Sequence, residues 1–268
     1  MVKLGAMTAS IKHPQSLLFC LTVCLGIALP LLAPASAQVL LENDWRGERH
    51  MNCLRSVERD PSYGMSLAED WIRQTGTSAA RHCMAVAESA IGDPGKAAEA
   101  FGLIAQQLPG DRWSDIGQLW AQAGHAWLLA EESRNALEAF DLAVDYRPND
   151  AGLLADRGVT RALLQDYRGT VADMTRAIEL SGGNPDYLLY RATAYRYLDD
   201  LRRGLIDLDA AVLVAPGFAD VYMERGRQRA LVGDIDGAAA DFRQVLQLAP
   251  NSRIAPLAED ALRQVSGD

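Results

Sequence analysis

The segment RGRQRALVGDIDGAAADFRQVLQLAP, Arg225–Pro250, sets Gly226, Gly233 and Ala238 ahead of Phe242 and closes on a proline. Its apolar residues recur at three- and four-residue steps on either side of Gly233-Asp234. That is the pattern of two short amphipathic helices joined by a tight turn. The same order of residue types recurs upstream. Pro216 lies 34 residues before Pro250 and Pro148 a further 68 back, with Gly182 at the place between. Gly124, Gly158, Ala192 and Gly226 keep the 34-residue step, as do Ala136, Thr170, Gly204 and Ala238. So do Phe140, Met174, Leu208 and Phe242, and also Ala143, Ala177, Ala211 and Val245.

Several series in one phase mean a stacked repeat, each unit a pair of antiparallel helices. A glycine or alanine where the two helices cross lets the backbones approach, and the bulky residue 16 positions on fills the space beside the crossing. Proline ends the pair because it cannot continue a helix. The small residues of the opening segment are therefore packing holes.

The unit Trp120, Gly124, Trp127, Ala136, Phe140, Ala143, Pro148 resembles the tetratricopeptide repeat, and the likeness extends over Ser78–Pro250. The resemblance implies an all-α, right-handed superhelical solenoid of helix-turn-helix repeats. Units are expected at 78–109, 117–150, 151–184, 185–218 and 219–250. The first carries Ala85, Gly92-Asp93, Ala97 and Phe101 but has Glu88 where an aromatic is usual, and an insertion, 110–114, follows it. A degenerate repeat is expected at 44–77, with helices around Glu48–Arg59 and Met65–Gln74, and a C-terminal capping helix at 251–268. Capping is needed because end repeats expose a face that interior ones bury.

Ahead of these, Lys3, Lys12 and His13 precede the apolar run Leu17–Ala35, which Pro30 interrupts and Ala35-Ser36-Ala37 ends. A basic start, an apolar middle and a small-residue end form a secretory signal, so 1–37 is expected to be removed after Ala37, leaving 38–43 as a flexible lead. The alternative is a retained anchor, for which Leu17–Leu32 is short of the roughly 20 residues a spanning helix needs. Export to a bacterial periplasm or comparable compartment is the expectation, with membrane contact only in transit. The remaining chain has 24 basic and 35 acidic residues, net −11, and Lys96 is its one lysine. An acidic body without a basic stripe argues against nucleic-acid and anionic-lipid partners.

Beyond the signal only Cys53 and Cys83 remain, and in an exported chain an even count points to a disulfide. Two free buried thiols, or zinc held by Cys53, Cys83, His50 and His82, are the alternatives. As His82 and Cys83 are sequential, their side chains diverge by about 100° on a helix, which weakens the metal reading. Arg157, Arg191 and Arg225 also recur at 34, together with Asp173, Asp207 and Asp241. Their co-repetition predicts ion pairs tying the helices of each unit rather than an anion-binding ladder.

No nucleophile elbow, zinc-protease helix, phosphate loop or dinucleotide glycine pattern occurs, so neither an enzyme nor a cofactor is expected. The resemblance implies a concave groove lined by the first helix of each unit. Carried over by position, its candidate binding residues are His125, Leu189, Arg196, Tyr197, Met223 and Arg227, flanked by Leu129, Leu163, Thr193 and Leu231. Such a mixed apolar wall suits a protein or peptide segment. The lysine and asparagine clamp that some tetratricopeptide proteins use for acidic chaperone tails is absent. A scaffold in the cell envelope is therefore the first expectation. A metal-dependent factor and a self-associating structural protein are the alternatives.

Overall fold

The structure, a computed structural model, describes residues 47–110 and 112–267. The expected signal at 1–37 and lead at 38–43 lie outside the described residues. Among the described residues there are thirteen helices and no strand. The first pairs are Glu48–Arg59 (α1) with Pro61–Thr75 (α2), and Ser78–Ile91 (α3) with Pro94–Gln107 (α4). Then come Trp113–Leu129 (α5), Ser133–Tyr146 (α6), Ala151–Leu163 (α7), Tyr167–Ser181 (α8), Pro185–Tyr197 (α9) and Leu201–Val214 (α10). Ala219–Leu231 (α11), Ile235–Leu248 (α12) and the solitary Ala255–Ser266 (α13) complete the chain. Each helix packs on the next, and α1–α3, α7–α9, α9–α11 and α11–α13 also touch, which is the all-α solenoid that the period predicts.

The packing-hole reading holds atom by atom. A Cβ built on Gly124 would lie 2.8 Å from the Phe140 ring, and one on Gly226 would lie 2.6 Å from that of Phe242. On Gly158 it would come within 3.0 Å of Met174. Where the partner is the smaller Leu208, the crossing residue is Ala192, and both are fully buried. Hole and filler change together, as close packing requires.

The turns inside the pairs also repeat. Gly92, Glu131, Gln165, Asp199 and Gly233 all have positive φ, between 58° and 101°. Each is followed by the residue at the N-cap of the next helix, and four of the five are capping aspartates. Asp93, Asp166, Asp200 and Asp234 accept a backbone N–H three residues on, at 2.9–3.3 Å. Only Gly92 and Gly233 suit the left-handed conformation, so three of these five turns carry a local cost.

The expected insertion at 110–114 does not break the array. The helix α5 starts inside it, at Trp113, and runs 17 residues against 13 for α7, α9 and α11. Across this junction Gly102 sits against the Trp120 ring, and His82 of α3 hydrogen-bonds Gln122 of α5 at 3.0 Å. Glu88, at the place of the usual aromatic, is buried and paired with Lys96, the one lysine among the described residues.

Cys53 of α1 and Cys83 of α3 are joined as a disulfide with Cα atoms 6.2 Å apart, fastening two neighbouring first helices. Close contact of Gly64 with the Val57 backbone draws α2 onto α1, and Trp71 is buried beside the bond. At the other end α13 lays Ala258, Ala261, Leu262 and Val265 on the last pair, covering Phe242 and Val245.

Candidate functional site

The first helices form one wall. Their C-terminal ends carry Leu129, Leu163, Tyr197 and Leu231, spaced by 34 residues and 69, 61, 55 and 63 % exposed. Large apolar side chains left in water in four successive repeats are unlike the core, where each hole has its filler. Between α7 and α9 a recess of about 250 Å³ is lined by Val159, Leu163, Tyr167, Tyr190, Thr193 and Tyr197. A larger one, about 560 Å³, lies between the ends of α9 and α11 and the capping helix. Arg196, Met223, Arg227 and Leu231 line one side of it, and Leu257, Ala261 and Val265 the other.

Of the six residues expected in the groove, Arg196, Met223 and Arg227 meet in this second recess and Tyr197 lies in the first. Met223 is a floor residue, only 4 % exposed. Tyr197 is stacked on Tyr167, ring centroids 4.4 Å apart and planes within 4°, and the Arg196 guanidinium lies 4.4 Å over its ring. Arg196 also donates to Glu224 Oε1 at 2.7 Å, so it shapes the wall more than it offers a free charge. Arg227 is more open and sits 3.8 Å from the other oxygen of the same carboxylate. Leu189 is half-buried against the core of α9 and α11, away from both recesses. His125 stands apart from them. Its Nε2 meets Asp156 Oδ2 at 2.9 Å, and that hydrogen bond pulls its pKa above the usual histidine value.

Other contacts were not foreseen. Glu224 and Gln228 are buried, and Gln228 Nε2 donates to both Glu224 Oε1 and the Ala192 carbonyl, at 3.0 and 2.9 Å. This links α11 to α9 beneath the second recess. The signal for it, two polar residues four apart, is matched in sequence by Asp156 and Thr160, but there the Thr160 hydroxyl bonds within its own helix, so the pattern does not mark a link between helices.

The Arg–Asp pairs are bidentate, as expected. Arg157, Arg191 and Arg225 each bond both oxygens of Asp173, Asp207 and Asp241, at 2.7–3.1 Å. Each also reaches back 16 residues into the preceding unit, to Asp141, Thr175 and Asp209 respectively, at 2.9–3.0 Å. The pairs therefore bind unit to unit as well as helix to helix. Arg161 and Arg229, at the places held by Trp127 and Tyr195 elsewhere, add a second guanidinium to Asp173 and Asp241 at 2.9 Å. With the buried carboxylates so engaged, the ladder has a structural role.

The sulfurs of Cys53 and Cys83 are bonded to each other and cannot act as thiolate ligands. Among the described residues no group of three or more His, Cys, Asp and Glu is placed to hold a metal. The two histidines of the zinc alternative instead form a polar chain. Gln122 Oε1 accepts from His82 Nε2, which leaves His82 Nδ1 to accept from His50 Nε2, both at 3.0 Å. Burial pushes the His82 pKa down to about 4; the Gln122 bond opposes that shift and the neighbouring His50 adds to it. The chain spans α1, α3 and α5.

Several solved structures share this fold. The fragment of MamA from residue 41 to its end, from Desulfovibrio magneticus RS-1, superposes with a TM-score of 0.59 at 16% identity, covering 66% of this chain and 97% of that one. A further MamA structure gives 0.56 at 16% identity over 62% of this chain and 94% of its own. YrrB, described as a TPR protein with an unusual peptide-binding site, gives 0.57 at 16% identity over 72% and 97%. The tetratricopeptide architecture is thereby shown. No family model matches the sequence, and no curated protein matches it.

Proposed function

We propose that this protein is a non-enzymatic interaction module that holds a segment of another protein against its concave wall, in the cell envelope. The observation that carries the reading is the row Leu129, Leu163, Tyr197, Leu231, exposed in four successive repeats and continued by recesses. The polar groups around the row, Arg196 with Glu224 and His125 with Asp156, are satisfied within the fold. What the wall offers a partner is therefore chiefly apolar and aromatic surface, with Arg227 as its most open cation. Peptide binding by YrrB, as its description states, makes such a use of this architecture reasonable. Export is supported by the three-part N-terminal pattern and by a disulfide suited to an oxidising compartment.

The test is affinity capture from an envelope extract, comparing wild type with Tyr197→Ala plus Arg227→Ala. A partner held by wild type and released by the double variant is expected; a partner held equally by both removes the groove from the account. Terminal sequencing of the purified protein tests export, with Gln38 expected as the first residue. A chain that keeps its first 37 residues would contradict cleavage.

A further inference from the structure

The exposed row has a pitch, and the pitch selects a ligand conformation. Neighbouring first helices lie side by side, as the Arg196–Glu224 and His125–Asp156 contacts show. Packed helices have axes about 10 Å apart, so the row presents one apolar side chain about every 10 Å. A polyproline II segment turns once in three residues and rises about 9 Å in doing so, placing every third side chain on one side. In an extended strand, residues on one face recur about every 7 Å, out of step with the row. A strand would also need backbone partners, and a wall built of helices has no sheet edge to supply them. A polyproline II backbone makes no internal hydrogen bonds and stays solvated, so it makes no such demand. The Tyr197 ring, held between Tyr167 and the Arg196 guanidinium, offers the row a fixed aromatic edge at its third position.

Charge adds a polarity. Two guanidinia, Arg196 and Arg227, share one buried carboxylate, Glu224, at the mouth of the larger recess. The other carboxylate lining the recess, Asp260, is paired with Arg263 of its own helix, so one positive charge is left uncompensated there, beside the place where the last apolar side chain would enter.

Resting on the groove reading above, the geometry points to a specific occupant. It is a proline-rich segment in the polyproline II conformation with an apolar residue at every third position, and an acidic residue next to the one seated against Leu231. Four such apolar residues meet Leu129, Leu163, Tyr197 and Leu231 in turn.

Fluorescence anisotropy with labelled synthetic peptides and the mature chain tests this. The reference peptide sets leucine at every third position among prolines and ends with glutamate after the last leucine. It is expected to bind at least tenfold tighter than an isomer with leucine at every second position. It should exceed by the same factor a glutamate-to-lysine version and a helical peptide with leucine at every seventh position. Leu163→Asp and Leu231→Asp should each weaken the reference peptide at least tenfold. Both residues are exposed, and circular dichroism with Leu163→Ser as a milder variant separates lost contact from lost fold. Arg227→Glu should invert the preference between the glutamate and lysine peptides. Equal binding of the two leucine spacings, tighter binding of the helical peptide, or an unchanged preference in Arg227→Glu overturns the inference. If that happens while capture still depends on Tyr197 and Arg227, only the ligand's conformation and polarity fall. Capture that ignores those residues removes the groove itself.

Discussion

The two ends of the solenoid are tied together by different chemistry. In α1–α5 the ties between neighbouring first helices are one covalent bond, Cys53–Cys83, and a hydrogen-bonded chain from His50 through His82 to Gln122. From α7 to α12 they are charged and repeated, with Arg157, Arg191 and Arg225 each bridging a buried aspartate and the unit before it. Where the repeat pattern is strong, the same bond can be used again at every step, because stacked units present the same geometry. Where it is degenerate, as before Ser78, no such geometry recurs, and a single cross-link substitutes. The apolar row Leu129–Leu231 belongs to the repetitive part, which is also where the recesses of α7–α13 lie.

The contrast predicts which treatments loosen which end. Reduction of the disulfide, or Cys53→Ser with Cys83→Ser, should have the largest effect. The loop of 30 residues that it closes is worth roughly 3–4 kcal/mol in the chain-entropy account, and the loss should fall on α1–α4. Hydrogen exchange with and without reductant should show protection lost there and kept in α7–α12. Uniform loss would break the division into two regions.

Acid should act on the same end. His82 is held neutral, with a folded pKa of about 4 against an ordinary 6.5. Between those values the unfolded chain binds more protons, so stability rises with pH across the window, by up to about 3 kcal/mol. Above pH 6.5 the contribution is fully present, and below pH 4 no further loss from this group is expected. Urea midpoints from pH 4 to 7.5 should slope more steeply for wild type than for His82→Gln. For His125 the sign is opposite. Its raised pKa means that the Asp156 contact helps at low pH and fades as pH rises through the folded value.

Arg191→Ala sharpens the comparison from the other side. It strands Asp207, whose side chain is 7 % exposed, and should cost about 2–3 kcal/mol. The loss should be centred on α8–α10, leaving the disulfide-tied end and peptide binding unchanged. A variant that melts like wild type but loses ligand would make the ladder a binding site. The smallest expected effect is a gain. Gln165→Gly relieves a left-handed φ of 62° and should raise stability by about 0.5–1 kcal/mol by thermal unfolding, with no change in binding.

Much of this was legible before any coordinates. A hole and its filler are 16 residues apart inside one unit, and stacking copies that contact every 34 residues, so Gly124–Phe140 and Gly226–Phe242 announce themselves. Pairing of Cys53 with Cys83 was readable as one of three alternatives, and Tyr197 and Arg227 as members of a wall. The links between units were not readable. Arg157 to Asp141, the path from Arg196 through Glu224 and Gln228 to Ala192, and His50 to His82 to Gln122 depend on how one pair is rotated on the next. Glu131, Gln165 and Asp199 conceal their turns because the left-handed residue there is not glycine.

By itself the sequence determined the period, the helix pairs and the contacts within each pair, since those are local and enforced anew at every repeat. Only the tertiary structure decided which arginines are spent on the fold and which side chains stay open. A guanidinium's partner is chosen by the angle between neighbouring units, and no single unit encodes that angle.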